Sequence, residues 1–145
     1  MKSLRRLVVG GLTALGLLGA TPIVALGAPT AARSAFFRSP SGNIGCAMDR
    51  SFGARCDIAK RNWRTPPKPR SCDLDFGQGV AVGSHGRAHF VCAGDTALGA
   101  RRILAYGHAR RVGRYSCTSK RVGMRCVNRR SGHGFFLSRQ RFRLF

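Results

Sequence analysis

The sequence contains no glutamate and only five aspartates in 145 residues, and no acidic residue follows Asp95. Sites that need paired Glu residues or a cluster of carboxylates are therefore excluded, including acidic calcium-binding modules. The length allows one small domain and excludes a multidomain enzyme. Because 26 Lys and Arg meet so few acids, the net charge is +21.

A helical period of apolar residues is also missing after residue 27, although Thr96 to Tyr106 has room for one turn. Instead, the chain has short runs in which apolar residues occupy every second position. Gly, Pro, Asn or Ser interrupts these runs every eight to twelve residues. Ile44, Cys46 and Met48 form one such run. This pattern predicts an all-β domain over residues 36–145, a small disulfide-stapled antiparallel sandwich or barrel of short strands.

The N-terminus lacks charge between residues 7 and 26, directly after Lys2, Arg5 and Arg6. This is typical of a secretory signal peptide with a helical apolar region, and the small residues before Ala28 favour cleavage after Gly27. An uncleaved anchor is the alternative, since about 20 apolar residues can span a bilayer.

We therefore predict a signal peptide at residues 1–27, a flexible lead-in at 28–35 and one domain at 36–145. The mature chain would be secreted or lie in the periplasm or on the exterior of the cell envelope. With 23 Lys or Arg against five Asp, it would carry a net charge of +18.

Six cysteines lie in the predicted domain, and none belongs to a C-x-x-C pair. Zinc is therefore not expected, and disulfides are the expected use of cysteine outside the cytosol. Antiparallel pairing places Cys46 opposite Cys56 around the loop Asp49–Gly53, and Cys117 opposite Cys126 around the loop Lys120–Gly123. Fifteen pairings are formally available. Exclusion then leaves the pair Cys72–Cys92.

Both cysteine hairpins end in Gly-x-Arg-Cys, at residues 53–56 and 123–126. An internal duplication explains the likeness, and so does convergence on the same turn chemistry.

Between the first hairpin and the next strand, residues 63–70 hold three prolines in four positions. Prolines so close together prevent both a helix and the hydrogen bonding of a β-ladder. We interpret this segment as a crossover strap whose Trp63 plugs one end of the fold. A proline-rich ligand for a partner is the alternative.

Catalysis is not expected, because the candidate groups form no recognisable site. His85 and His89 are four residues apart, the spacing of one strand face, but His85 lies in a Gly-rich turn and no third metal ligand is near in sequence; His108 and His133 each follow a glycine. There is no Gly-x-Ser-x-Gly elbow, and disulfide pairing leaves no free thiol. We predict a protein that is not an enzyme and holds neither metal nor cofactor.

The strongest remaining signal is basic charge, since thirteen Lys or Arg and no acid follow Asp95. Arg139, Arg141 and Arg143 alternate with Gln140, Phe142 and Leu144, which predicts a strand with a cationic face; Arg129 and Arg130 lie close before it. Arginine suits phosphate, sulfate and carboxylate groups. Anionic envelope polymers and phospholipid head groups are the expected ligands, with nucleic acid bound only non-specifically. Genome base composition or solubility would explain the charge equally well.

Four segments of the sequence, taken together, resemble a family of small exported bacterial domains, typical of actinobacteria, that is known as a domain of unknown function. They are Phe37 to Cys46 (FRSPSGNIGC), Cys92 to Thr96 (CAGDT), Leu104 to Gly107 (LAYG) and Cys126 to Arg139, which includes GHGFFLSR. The resemblance implies a signal peptide, a compact disulfide-bonded domain and an unassigned role, with no catalytic residues to transfer.

Asn128 and His133 lie in the most distinctive of these segments. A shared family site is therefore expected there, beside Asp95. The alternative is that Asp95 and Asn128 fix turns through side chain to backbone hydrogen bonds.

Two functional hypotheses result. The first is a secreted, monomeric, non-catalytic module that binds anionic polymers through Arg139, Arg141 and Arg143, with salt-sensitive affinity. The second is a secreted protein-interaction domain, such as an inhibitor or an antagonistic effector, whose protein partner the sequence does not identify.

Overall fold

The structure, a computed structural model, describes residues 32–145. Over these residues the chain forms ten β-strands and no helix, which confirms the all-β prediction. The predicted signal peptide at 1–27 and the lead-in up to residue 31 lie outside the described residues. Between residues 32 and 145 no helix is long and apolar enough to cross a membrane.

The first sheet is a five-stranded antiparallel meander in sequence order. Its strands are β1 (Ser34–Arg38), β2 (Ile44–Asp49), β3 (Gly53–Ile58), β4 (Phe76–Val82) and β5 (His89–Cys92). β1 starts two residues inside the segment expected to be a flexible lead-in. It does so because Ser34 pairs with Asp49 and Ala35 with Met48, so both residues belong to the ladder.

The second sheet repeats this arrangement with the remaining five strands, again in sequence order. They are β6 (Ala109–Val112), β7 (Tyr115–Lys120), β8 (Gly123–Asn128), β9 (Gly134–Leu137) and β10 (Phe142–Leu144). Each is antiparallel to the next.

The two sheets pack face to face around one hydrophobic core, so the fold is a sandwich. Because successive side chains of a strand point to opposite faces, alternate residues of each strand enter the core. Its largest fully buried apolar side chains are Tyr115, Phe37, Phe135, Met48, Ile58, Met124 and Leu137.

All three predicted disulfides are confirmed. Cys46–Cys56 and Cys117–Cys126 join directly paired residues, with Cα–Cα distances of 4.1 and 4.0 Å, and Cys72–Cys92 ties the segment before β4 to the end of β5. The hairpin loops are shorter than expected, because pairing continues to Asp49–Gly53 and Lys120–Gly123. In the core the Sγ atoms of Cys56 and Cys126 lie 3.4 Å apart. Both are oxidised, so this is a van der Waals contact between the sheets.

The two lateral seams of the sandwich differ. Trp63 packs against Phe90 of β5 and Phe142 of β10, with ring centroids 6.0 and 4.8 Å away, and its Nε1 donates to the Ser138 carbonyl at 2.8 Å. The strap therefore closes the seam between edge strands β5 and β10, not an end of the fold. At the β1–β6 seam a cavity of about 510 Å³ remains, lined in part by Phe36 and Ile103.

Candidate functional site

The outer face of the second sheet carries a row of paired residues that alternates cationic and aromatic side chains. Arg125 of β8 lies opposite Phe136 of β9, which in turn lies opposite Arg143 of β10. Their sequence neighbours Cys126 and Phe135 are buried in the core. Successive side chains of a strand point to opposite faces, so Arg125 and Phe136, whose neighbours face the core, point outward. Arg143 is paired with Phe136 and therefore points outward as well.

Two rings sit among the guanidinium groups of this face. The Arg141 guanidinium carbon lies 5.6 Å from the Phe136 ring centroid, and those of Arg125 and Arg143 lie 4.9 and 5.9 Å from the Phe145 centroid. These distances are within the range of cation–π attraction, which holds the arginines over the rings while their charge stays in water. We call Arg125, Arg141, Arg143, Phe136 and Phe145 the cationic face.

The cationic face has no acidic side chain near it in sequence, because all five aspartates precede residue 96 and the second sheet begins at Ala109. Its arginines are exposed. A planar guanidinium donates two parallel hydrogen bonds to an oxyanion, and an aromatic ring beside it offers a stacking surface. The arrangement is thus suited to an extended anion that carries planar or apolar groups.

The outer face of the first sheet is covered instead. The segment that contains Thr96 and Ala97 lies over β2 and β3, and a Cβ atom at Gly45 would overlap the Ala97 carbonyl oxygen. Asp57, paired with Gly45 in the ladder, accepts hydrogen bonds from the Thr96 hydroxyl at 3.0 Å and from the Ala97 backbone N–H at 2.8 Å. Among the described residues, the outer face of the second sheet is therefore the open one, and it is the cationic one.

Asp95, predicted as a member of a family site, belongs to the ion-pair cluster that holds this cover. Arg55 donates to both oxygens of Asp57 at 2.9 and 2.8 Å, and to the Asp95 carboxylate and carbonyl at 2.6 Å each. The hydrogen bond from Arg55, with its positive charge, holds the pKa of Asp95 below its ordinary value. Burial alone would lower the pKa of Arg55. The hydrogen bonds and negative charges of Asp57 and Asp95 together have a larger effect, so the Arg55 pKa is raised.

Asn128 and His133 lie elsewhere, Asn128 as the last residue of β8 and His133 in the turn that follows it. The Asn128 backbone N–H donates to the His133 carbonyl at 2.8 Å, and its Oδ1 accepts from the Arg130 N–H at 3.0 Å. Its Nδ2 donates to the Gly83 carbonyl at 3.0 Å, across to the first sheet. The buried Asn128 therefore fixes a turn and joins the sheets, while the contacts of Asp95 are with Arg55.

A family model described as a family of unknown function, DUF6636, matches residues 15–145. The chain belongs to this family. Searches of curated proteins and of solved structures gave no significant match. The DUF6636 domain is thus a disulfide-bonded all-β domain whose role must be inferred from its own surfaces.

The five arginines predicted as ligand-binding are spread along the second sheet of the DUF6636 domain. Arg141 and Arg143 belong to the cationic face, and Arg139 lies in the β9–β10 turn. Arg129 and Arg130 lie in the β8–β9 turn, at the opposite end of β9. Sequence reasoning missed Arg125 as a ligand-binding residue. Its signal was the alternation with Met124 and Cys126, which marks it as the outward residue of a strand.

The histidines of the DUF6636 domain occupy three different places. His85 lies in the β4–β5 connection and His89 is the first residue of β5, His108 precedes β6, and His133 lies in the β8–β9 turn. The Nδ1 atom of His85 contacts the Ser84 hydroxyl at 2.9 Å. Each therefore belongs to a connection between strands or to the start of one.

Three cysteine sulfurs lie within 4.8 Å of one another in the core, those of Cys46, Cys56 and Cys126. All three are in disulfides, and residues 32–145 hold no free cysteine. They offer no thiolate to a metal while the bridges are intact, because the thiolate is the form that ligates.

Proposed function

We propose that this DUF6636 domain is an exported, non-catalytic module that binds anionic polymers of the cell envelope or extracellular space. The observation that carries the proposal is the cationic face: three exposed arginines held over two rings, on a sheet face that no other segment of residues 32–145 covers. Three disulfides in so small a domain are typical of an oxidising, extracellular environment. Export through the predicted signal peptide at 1–27 accords with them.

A flat, open face favours a polymer over a small ligand. Strands two apart in a sheet are separated by about 9.5 Å, so Arg125 and Arg143 present charge at intervals along the sheet, not at one point. Arg129 and Arg130 extend the basic surface beyond β8. Such a surface gains affinity from many charged contacts to a repeating backbone, through counterion release.

The test compares two triple variants of equal charge. In the first, Arg125, Arg141 and Arg143 are changed to Ser; in the second, Arg64, Arg70 and Arg87, which are exposed and lie between β3 and β5, are changed to Ser. Binding of the oxidised protein to a fluorescent teichoic acid and to fluorescent polyphosphate is measured by anisotropy at 150 mM NaCl. We expect the first variant to lose at least tenfold in affinity and the second to lose much less. Equal losses would show that net charge, not the face, determines binding.

A protein-interaction role is the second candidate, and the β1–β6 seam favours it. Phe36 and Ile103 are 58% and 53% exposed and line the same cavity, and apolar side chains exposed together in this way are typical of interaction sites. A saturable complex with one purified protein at physiological salt, lost in Phe36→Ser and Ile103→Ser but kept in the first triple variant, would favour this role over polymer binding.

A further inference from the structure

A second basic site lies at one end of the sandwich, apart from the cationic face. Five connections from both sheets meet there around a cavity of about 410 Å³. We call it the end pocket. Its cationic side chains are Lys60, Lys120, Arg121 and Arg139. The volume lies in the range of about 300–1,000 Å³ typical of small-molecule sites.

No acidic side chain lines the end pocket, so its positive charge is not balanced within the cavity. Its four cations come from three different connections, and none of the five aspartates is among the residues that line the cavity. All four side chains are exposed, so solvent screens their mutual repulsion, but that repulsion contributes no stability to the fold. An anion in the cavity would remove that repulsion, so the arrangement is more readily explained by a ligand than by stability.

The backbone that carries Lys60 is fixed. The Asn43 side chain accepts from the Lys60 N–H at 2.8 Å and donates to the Lys60 carbonyl at 3.0 Å, so the connection after β3 is tied to the β1–β2 turn. Only the flexible stem of Lys60 remains to be ordered when a ligand binds, which lowers the entropic cost of binding.

The backbone that carries Arg139 and Arg121 is equally fixed. The Arg139 carbonyl accepts from the Asn62 N–H at 2.8 Å, and the preceding Ser138 carbonyl accepts from Trp63. Arg121 lies in a two-residue turn that ends at Gly123, whose φ of +147° and close approach to the Leu137 carbonyl exclude a side chain. The walls of the pocket are therefore formed before any ligand arrives.

The rest of the lining combines polar side chains with the apolar Ile44, Ala59 and Val122, and it includes one aromatic ring. Tyr106 is half-buried, and the Arg121 guanidinium carbon lies 5.4 Å from its ring centroid. Ser41, Asn43 and Gln140 supply hydroxyl and amide groups. A sugar ring suits such a lining, since one face packs on an aromatic ring while its hydroxyls hydrogen-bond to polar side chains.

We propose that the end pocket binds a phosphorylated sugar, with the phosphate among Lys60, Lys120, Arg121 and Arg139 and the sugar ring against Tyr106. This inference does not depend on the polymer-binding proposal, because it uses neither Arg125, Arg141 nor Arg143. Three of the four segments that carried the family resemblance, around Ser41, Tyr106 and Arg139, also converge on this pocket.

The experiment is an amide NMR titration of the oxidised protein at 150 mM NaCl with glucose 6-phosphate, inorganic phosphate, glucose and adenosine monophosphate. We expect saturable shifts at Lys60, Arg121 and Gln140 with glucose 6-phosphate, weaker ones with phosphate and none with glucose. Shifts spread over the whole basic surface would overturn the proposal. Tighter binding of adenosine monophosphate than of glucose 6-phosphate would overturn the assignment of the ring to a sugar.

Variants separate this site from the cationic face and the two parts of the ligand from each other. Lys60→Ala with Arg121→Ala should weaken glucose 6-phosphate at least tenfold, whereas Arg125→Ala with Arg143→Ala should leave it unchanged. Tyr106→Leu should weaken glucose 6-phosphate but not inorganic phosphate. If the Arg125 and Arg143 double variant lost affinity for glucose 6-phosphate and the Lys60 and Arg121 double variant kept it, the ligand would bind to the cationic face. The pocket proposal would then be wrong, whatever the outcome for polymer binding.

Discussion

Asp57 holds the segment that covers the outer face of the first sheet, so the difference between the two sheet faces depends on this side chain. It is fully buried, and it accepts four hydrogen bonds, two of them from Arg55. A buried carboxylate is tolerated only with such compensation, because its transfer out of water is costly. The cluster thereby attaches the cover of the first sheet to β3, and it uses one of the few acids in the chain to do so.

Replacing that carboxylate with an amide tests its structural role. In Asp57→Asn the amide NH₂ faces the donors of Thr96 and Ala97, and Arg55 loses its charged partner. We expect a loss of about 3 kcal/mol in the free energy of unfolding, as for other buried ion pairs that lose one member. Urea unfolding followed by Trp63 fluorescence measures it. Asp95→Asn is the control: Asp95 is 82% exposed, so its urea midpoint should stay near that of the wild type.

The pH response of Asp95 follows from its contact with Arg55. Its pKa is lowered from the ordinary value of 3.8, so the contact stabilises the fold above that value and is lost as the pH falls through the lower folded pKa. Carboxyl ¹³C shifts should show a titration midpoint below 3.8. Arg55→Gln should move it back up, while the midpoint of Asp49, lowered mainly by the hydroxyl of Ser51, should not change. An Asp95 midpoint insensitive to Arg55→Gln would contradict the assignment.

At the scale of elements, the two sheets are structural repeats. In each, a disulfide joins the second strand to the third, and the residue opposite the returning cysteine is a buried apolar one on the fourth strand, Val80 or Phe135. The glycine that starts the third strand has a positive φ in both, at Gly53 and Gly123. The shared Gly-x-Arg-Cys motif therefore marks equivalent positions of two equivalent sheets.

The sequence predicts local pairing well and long-range packing poorly. Cys46 and Cys56 are ten residues apart, so hairpin geometry alone brings them together, and the same holds for Cys117 and Cys126. Which sheet face is covered depends instead on a contact between Asp57 and Ala97, forty residues apart, that no periodicity reveals. The end pocket has the same origin, since its cations come from connections that only the stacking of the two sheets brings together.

The disulfides differ in what they contribute, and their removal should show it. Loop closure alone predicts a larger loss for Cys72–Cys92, of about 3 kcal/mol, because its loop is longer than that of Cys117–Cys126. However, the Cys117–Cys126 bridge is fully buried and contacts Cys56, so its removal also leaves a core cavity. We expect Cys117→Ala with Cys126→Ala to destabilise more than Cys72→Ala with Cys92→Ala in urea unfolding. The opposite order would show that core packing of the bridge contributes little.

Over the whole molecule, the aspartates occur with the sheet whose outer face is covered, and the sheet without aspartates is the one with the open outer face. Every aspartate precedes residue 96, and Asp57 and Asp95 hold a segment over the first sheet; the second sheet, which starts at Ala109 and contains no acid, has its outer face open among the described residues. The exposed arginines of this face repel one another and the rest of a chain whose net charge is +18 after the predicted cleavage, and this repulsion opposes the compact state. A polyanion reverses that repulsion, so the same feature that weakens the free domain would strengthen a complex.

The salt dependence of polyanion binding distinguishes direct contact from diffuse attraction. For a flexible anionic polymer each neutralised charge adds about −0.7 to the slope of log K against log salt, so about four engaged cations give a slope near −3. Changing Arg125, Arg141 or Arg143 singly to Ser should make the slope shallower by about 0.7 each, because each removes one contact. Arg64→Ser, which removes the same charge from the other half, should lower the affinity slightly and leave the slope as it is. Anisotropy titrations with polyphosphate between 50 and 400 mM NaCl give these slopes. If Arg64→Ser and Arg143→Ser changed the slope alike, the polymer would be held by the overall field of the domain, and the cationic face would have no special part in binding it.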